Sequence, residues 1–319
     1  MSKLPAYYQA TDSQNIYLPR YEEIAQAASS AKSQLPHRSS KAQTALFVID
    51  AQIGFCHPQA SLYVPGAEAD MARLAEFIYR NVSDLDALYF SFDTHSCFQI
   101  FFPAFWVNAN QQQPAPFTII TAQEVAQGKW RAVREPEFAL QYLRQLEATG
   151  KYQLCIWPYH TMMGAIDHAL APVLFESALF HAQVTGRETF WQVKGRAPLT
   201  ENYSVFAPEI TKLVTADTQL KVGSFNVELL NKLMRYDRIY IAGEASSHCV
   251  RFTIADLVQQ LMSVDRSLLT KLYILQDCMS PVPAIPNVVD FPALATQALA
   301  EFAALGVNIV KSTDEIYTW

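Results

Sequence analysis

Short apolar runs of strand length alternate with helical segments along most of this chain, and that alternation confines it to a largely parallel sheet covered by helices. The runs fall at 45–50, 87–93, 153–157, 189–193, 238–242 and 271–276, with a last short one at 307–310. Helical periodicity lies between most of them, as at 67–81 and 250–262. Several runs end in a polar or reactive residue: Asp50, Asp93, His160 just beyond Trp157, Lys194, and the turn 243–249 that closes on Cys249. In an open parallel sheet the carboxyl ends of the strands form the ligand crevice. These residues are therefore expected along one edge.

Half of the 319 residues are hydrophobic, enough for a large core. A net charge of -6, from 24 basic and 30 acidic residues, leaves no cationic surplus to meet a phosphate backbone or an anionic membrane. Neither nucleic acid nor membrane is expected as a partner. The apolar runs are too short to span a bilayer and the N-terminus carries no apolar signal-peptide core, so a cytoplasmic location is expected. Five cysteines without a CxxC pair suggest neither a disulfide framework nor a cysteine-only zinc site, and leave at least one thiol free.

Two regions break the alternation. Residues 1–42 read as an N-terminal arm, with a helix near 21–32 and a polar linker at 35–44, ahead of the main domain at 43–319. Within that domain, about 97–150 form an insertion, aromatic-rich at 98–106 and helical at 135–149. It is too long and too apolar for a simple connector, and is expected to pack over the crevice, form a subunit contact, or both.

Four features carry chemistry. Cys249 follows a strand and a turn of small residues at the start of a helix, where unpaired backbone N–H groups and the helix dipole lower a thiol's pKa and can double as an oxyanion hole. The alternative is a small buried hydrophobe; Ser246 and Ser247 are weaker nucleophile candidates, lacking a GxSxG frame. Asp50 ends an otherwise wholly apolar strand, either as a cap for the next loop or as a general base whose pKa is raised by desolvation. Lys194 is either a surface lysine or a buried cation. Asp93 and His95, two apart on an extended segment, share a face, and His160 can complete a set suited to zinc, iron or manganese with positions left for water or substrate. Otherwise the two histidines are ordinary polar residues at strand ends.

Taken in order, these stretches resemble the motifs of the nicotinamidases, within the isochorismatase-like cysteine hydrolases. They are Asp50 with Phe55 five residues on, Asp93-x-His95, Trp157-Pro-x-His160, Lys194-Gly195 followed by Tyr203-Ser-x-Phe206, and Gly243-x-Ala245-x-x-x-Cys249-Val250. Each is short, but their shared order over about 43–312 is specific. The resemblance implies a three-layer αβα sandwich with a mainly parallel, doubly wound sheet, and a triad of Asp50, Lys194 and Cys249. It implies an oxyanion hole from the N–H groups of Ala245 and Cys249, with a cis peptide bond before Ala245. It also implies a divalent ion, zinc first, on Asp93, His95 and His160, and ring contacts from Phe55, Trp157 and Tyr203. The implied activity is hydrolysis of nicotinamide to nicotinate and ammonia through a thioester, with another small amide or a ureide as the alternative substrate and a homo-oligomer as the expected assembly.

The sequence departs from the pattern at four places. Gln99 stands where many members have a second histidine after Asp-x-His, which leaves its part in the metal shell open; residues 161–164 follow His160 in place of the usual Cys-Val, Gly54 replaces an Asp before Phe55, and His248 replaces a common Tyr before Cys249.

Overall fold

The structure is a computed structural model describing residues 4–34, 41–149, 152–215, 218–286 and 289–316. The expected linker at 35–44 falls largely on 35–40, outside the described residues. Six strands form the central sheet: β1 (Thr44–Ile49), β2 (Ala87–Asp93), β3 (Thr189–Lys194), β4 (Arg238–Gly243), β5 (Leu272–Leu275) and β6 (Asn308–Val310). All neighbours pair parallel, in the order β6-β5-β4-β1-β2-β3. The chain runs outward from β1 in one direction through β2 and β3, then returns to β4 on the other side and runs outward again. The switch point lies between β1 and β4, where a doubly wound sheet opens its crevice.

The period-2 alternation of β1 serves two cores. Leu46 and Val48 join Leu74, Phe77 and Ile78 of α2 (Ala67–Arg80) and Leu174 and Ala178 of α4 (Pro172–Thr185) on one face. Ala45, Phe47 and Ile49 join Ile254, Leu257 and Leu261 of α5 (Cys249–Val264) and Phe302 of α6 (Phe291–Leu305) on the other. A strand buried on both faces must be apolar throughout, as β1 is until Asp50. Helix α1 (Tyr21–Lys32), at the expected position, adds Ile24 and Ala28 to the first core. Arg20, at its start, forms an ion pair of 2.6 Å with the buried Glu176 of α4.

The insertion builds a third core of its own around Phe102, Phe105, Trp106 and the apolar face of α3 (Pro136–Thr149). It also claims the run at 153–157, which the alternation assigned to the main sheet. Only Leu154–Cys155 is a strand there, and it pairs antiparallel with Ile119–Ile120. Leu154, Ile156 and Trp157 bury themselves in the third core, and an apolar run is satisfied by any dry neighbour. Periodicity says that a run is buried, not what buries it. Among the described residues no helix is long and apolar enough to cross a membrane.

Candidate functional site

At the switch point the ends of β1, β3 and β4 bring Asp50, Lys194 and Cys249 together. Lys194 Nζ lies 2.9 Å from Asp50 Oδ2, 3.1 Å from Asp93 Oδ1, 3.4 Å from Cys249 Sγ and donates to the Asn202 carbonyl at 2.7 Å. The open question about this lysine resolves as a buried cation, its cost offset by two carboxylates. Asp50 has a positive φ of 46°, a left-handed backbone conformation directly after the last residue of β1. Ser91 on β2 holds it twice, accepting from the Asp50 N–H at 3.0 Å and donating to Oδ1 at 2.6 Å.

Cys249 is the first residue of α5, directly beyond the turn from β4. Gly243 makes the close approach that this turn needs: its φ is 117°, and a Cβ there would lie 2.0 Å from the Ile49 carbonyl oxygen. The Glu244–Ala245 peptide is cis, as the motif implies. The Ala245 carbonyl is taken by the N–H groups of His248 and Val250, while among the described residues the N–H groups of Ala245 and Cys249 have no hydrogen-bond partner.

Burial dominates the electrostatics. It raises the Asp50 carboxyl above the usual carboxylate range despite the opposing Lys194 charge. It also pushes the Cys249 thiol well above its ordinary value, against the pull of Lys194, with Asp50 and Asp93 adding to the rise. The expectation of a lowered thiol pKa is therefore reversed: a helix N-terminus offers a fraction of a charge, and full desolvation beside two carboxyls outweighs it. Burial disfavours the charged form of Lys194 too, yet Asp50 and Asp93 more than compensate and hold it protonated.

Asp93, His95 and His160 offer ligand atoms all within 4.8 Å of one another. His95 Nε2 lies 2.7 Å and His160 Nε2 3.8 Å from Asp93 Oδ2. Their other ring nitrogens lie on backbone carbonyls, His95 Nδ1 on Gly195 at 3.2 Å and His160 Nδ1 on Pro158 at 2.7 Å. A carbonyl only accepts, so each Nδ1 donates to its carbonyl and each Nε2 is the nitrogen turned to the shared centre, through which a neutral imidazole would hold a divalent ion. Burial lowers the His160 pKa, which favours that neutral form. Gln99 donates from Nε2 to the Gly195 carbonyl at 2.5 Å, the same carbonyl that orients His95. That bond braces the carbonyl behind a potential ligand, while Gln99 Oε1 is buried with no hydrogen-bond partner among the described residues. Gly195 has no substitute, because a Cβ there would meet Asp93 Oδ1 at 2.5 Å and His95 Cε1 at 2.8 Å.

Cys249 and the three potential ligands face one cleft of about 520 Å³ including its mouth, with walls mainly apolar and aromatic. Phe55, Trp157 and Tyr203 line it as the motif frame implies, joined by Phe101 of the insertion and by His248. Phe101 thus brings the 97–150 segment to the cleft wall. The residues around these went unread in the sequence. Ser91 lies inside a strand, and Gln52, whose side chain bonds both the N–H and the carbonyl of Asp93 at 2.7 and 2.9 Å, lies in a loop. Glu201, buried on the cleft wall, was also missed; a carboxyl two residues before Tyr203 was the available signal.

No protein-family model matches this sequence, and no curated protein matches it. Solved structures do match in fold. A nicotinamidase and pyrazinamidase of Acinetobacter baumanii superposes with a TM-score of 0.53 at 20% identity, covering 85% of this chain and 97% of that one. The yeast nicotinamidase bound to the inhibitor nicotinaldehyde gives 0.53 at 18% identity, over 84% of this chain and 100% of the other. At these identities the likeness establishes the fold.

Proposed function

We propose that this protein is a cysteine amide hydrolase, with nicotinamide as the first substrate to test. The observation that carries the reading is a single one: Lys194 Nζ contacts Asp50, Asp93 and Cys249 at once, joining a nucleophile and its base to a potential metal centre across one aromatic cleft. The nicotinamidases that share the fold supply the choice of amide.

In this reading Cys249 rests as a thiol and gives its proton to Asp50 as Sγ attacks the amide carbonyl. The oxyanion forms against the free N–H groups of Ala245 and Cys249. Asp50 then returns the proton to the departing nitrogen, ammonia leaves, and a thioester remains. Asp50 next takes a proton from water as that water adds to the thioester; the adduct collapses, the carboxylic acid departs, and Asp50 returns its proton to Sγ, restoring the thiol. Lys194 keeps Asp50 oriented and balances its charge throughout. Asp93, His95 and His160 would hold a divalent cation, a Lewis acid able to bind the nitrogen of a heteroaromatic ring. Phe55, Trp157 and Tyr203 would sandwich that ring. The assembly we propose remains a homo-oligomer.

A second reading, a different small amide or a ureide, is favoured by one observation: Phe101 lines the cleft, so its wall is not built from the motif residues alone. Ammonia release from nicotinamide and from a panel of carboxamides and carbamoyl compounds, each compared with Cys249→Ala, separates the two. Turnover of nicotinamide that vanishes in the variant supports the first reading. Turnover confined to other amides replaces it with the second, and ammonia release unaffected by Cys249→Ala refutes both.

A further inference from the structure

The mechanism leaves Glu201 unused, although its carboxyl lies on the cleft wall and is only 1% exposed. Its hydrogen bonds form a continuous chain. The indole N–H of Trp157 donates to the Tyr203 hydroxyl at 3.0 Å, and that hydroxyl donates to Glu201 Oε1 at 2.7 Å. On the other side Tyr142 donates its hydroxyl to Glu201 Oε2 at 2.8 Å and accepts the Glu201 backbone N–H at 3.1 Å. Tyr142 is fully buried on α3, within the insertion, and does not line the cleft.

A buried carboxyl bonded to phenols rather than to a cation is an expensive group to keep. What it does here is fix two rings. A Tyr or Trp side chain in an apolar wall can tilt, and a bond at its polar tip sets its plane. We propose that Glu201 is a positioning residue that fixes the planes of Tyr203 and Trp157 and, through Tyr142, ties them to the insertion helix, so that the insertion sets the slot for a flat ring. The proposal rests on the reading of this cleft as the site of a heteroaromatic amide. It deepens that reading by making the insertion a determinant of ring fit rather than a cover alone.

The test is Tyr142→Phe, which removes one hydroxyl outside the cleft, in the full-length protein. Two quantities are followed: steady-state turnover of nicotinamide, and the emission of Trp157, obtained as the difference between each protein and its Trp157→Phe counterpart. The clamp requires KM to rise about fivefold to tenfold, the scale of one lost hydrogen bond, with kcat changed less than about twofold because Asp50, Lys194 and Cys249 are untouched. It also requires the Trp157 emission to shift. If either quantity stays at the wild-type value, or if kcat falls while KM holds, the proposal is overturned. Should Tyr142→Phe not fold, Glu201→Gln is read in the same way, since the amide keeps the shape but sets an NH2 group, which cannot accept, against one of the two phenols. Should the wild type not turn over nicotinamide, emission alone decides: a shift supports the clamp while the substrate reading fails separately, and no shift overturns the clamp.

Discussion

Lys194 Nζ stands 2.9 Å from Oδ2 of Asp50, and both side chains are almost wholly withdrawn from water. The pair is where the fold and the chemistry depend on each other, because β3 delivers the cation and β1 the carboxylate, with β2 between them.

Replacing Lys194 by Met leaves Asp50 and Asp93 buried without their shared counter-charge. Breaking a buried ion pair from one side costs about 3–5 kcal/mol, so urea unfolding near neutral pH is expected to show a loss on that order. Wild-type stability in Lys194→Met would mean that water reaches the carboxylates.

Ser91 offers a milder probe of the same centre. Its hydroxyl both accepts from and donates to Asp50, and a hydrogen bond to a charged group is worth about 1.5–3 kcal/mol. Ser91→Ala is expected to lower kcat/KM by roughly tenfold to a hundredfold if Asp50 is the base. Unaltered kcat/KM would remove Asp50 from the chemistry.

For the metal centre, competition against a chromogenic chelator gives zinc affinity without any assay of turnover. His160→Ala is expected to abolish tight binding, whereas Gln99→Ala, which removes a brace on the Gly195 carbonyl, is expected to weaken it about tenfold. Equal losses in the two variants would place Gln99 among the ligands, and wild-type affinity in His160→Ala would dissolve the site.

Glu201 predicts a pH dependence of stability with a definite sign. Burial raises its pKa from 4.5 to about 8, against the hydrogen bonds from Tyr203 and Tyr142. Between those values the folded chain keeps a proton that the unfolded chain has released, so this group's contribution is full below about 4.5, declines as pH rises through the window, and levels off above about 8. Urea unfolding at several pH values should therefore show a steeper decline from acid to neutral in the wild type than in Glu201→Gln. Parallel profiles would show that the carboxyl is ionised in both states.

Much of this was legible before any coordinates. An uninterrupted apolar β1 ending in Asp50 reads as a strand buried on both faces with its polar end at an edge, and the alternation around it argues for a parallel sheet covered by helices, while the doubly wound order came only with the motif resemblance. Asp50, Asp93, His95, His160, Lys194 and Cys249 announce themselves in the same way, each a polar or reactive type at the end of an apolar run or in a short motif. Local sequence reports local constraints, and these constraints are local. The tertiary structure decided whatever depends on what lies opposite. It gave 153–157 to the insertion instead of the main sheet, because burial has no preferred partner. It raised the Cys249 thiol that its helix position would have lowered, because desolvation is set by all the surroundings at once. It brought Ser91 to Asp50, Gln99 to the carbonyl behind His95, and Tyr142 to Glu201 across 59 residues of chain. Ser91 and Tyr142 carry no signal of their own, and Gln99 was marked only by its place in a motif, since a hydrogen bond depends on a distance in space that the order of residues does not encode.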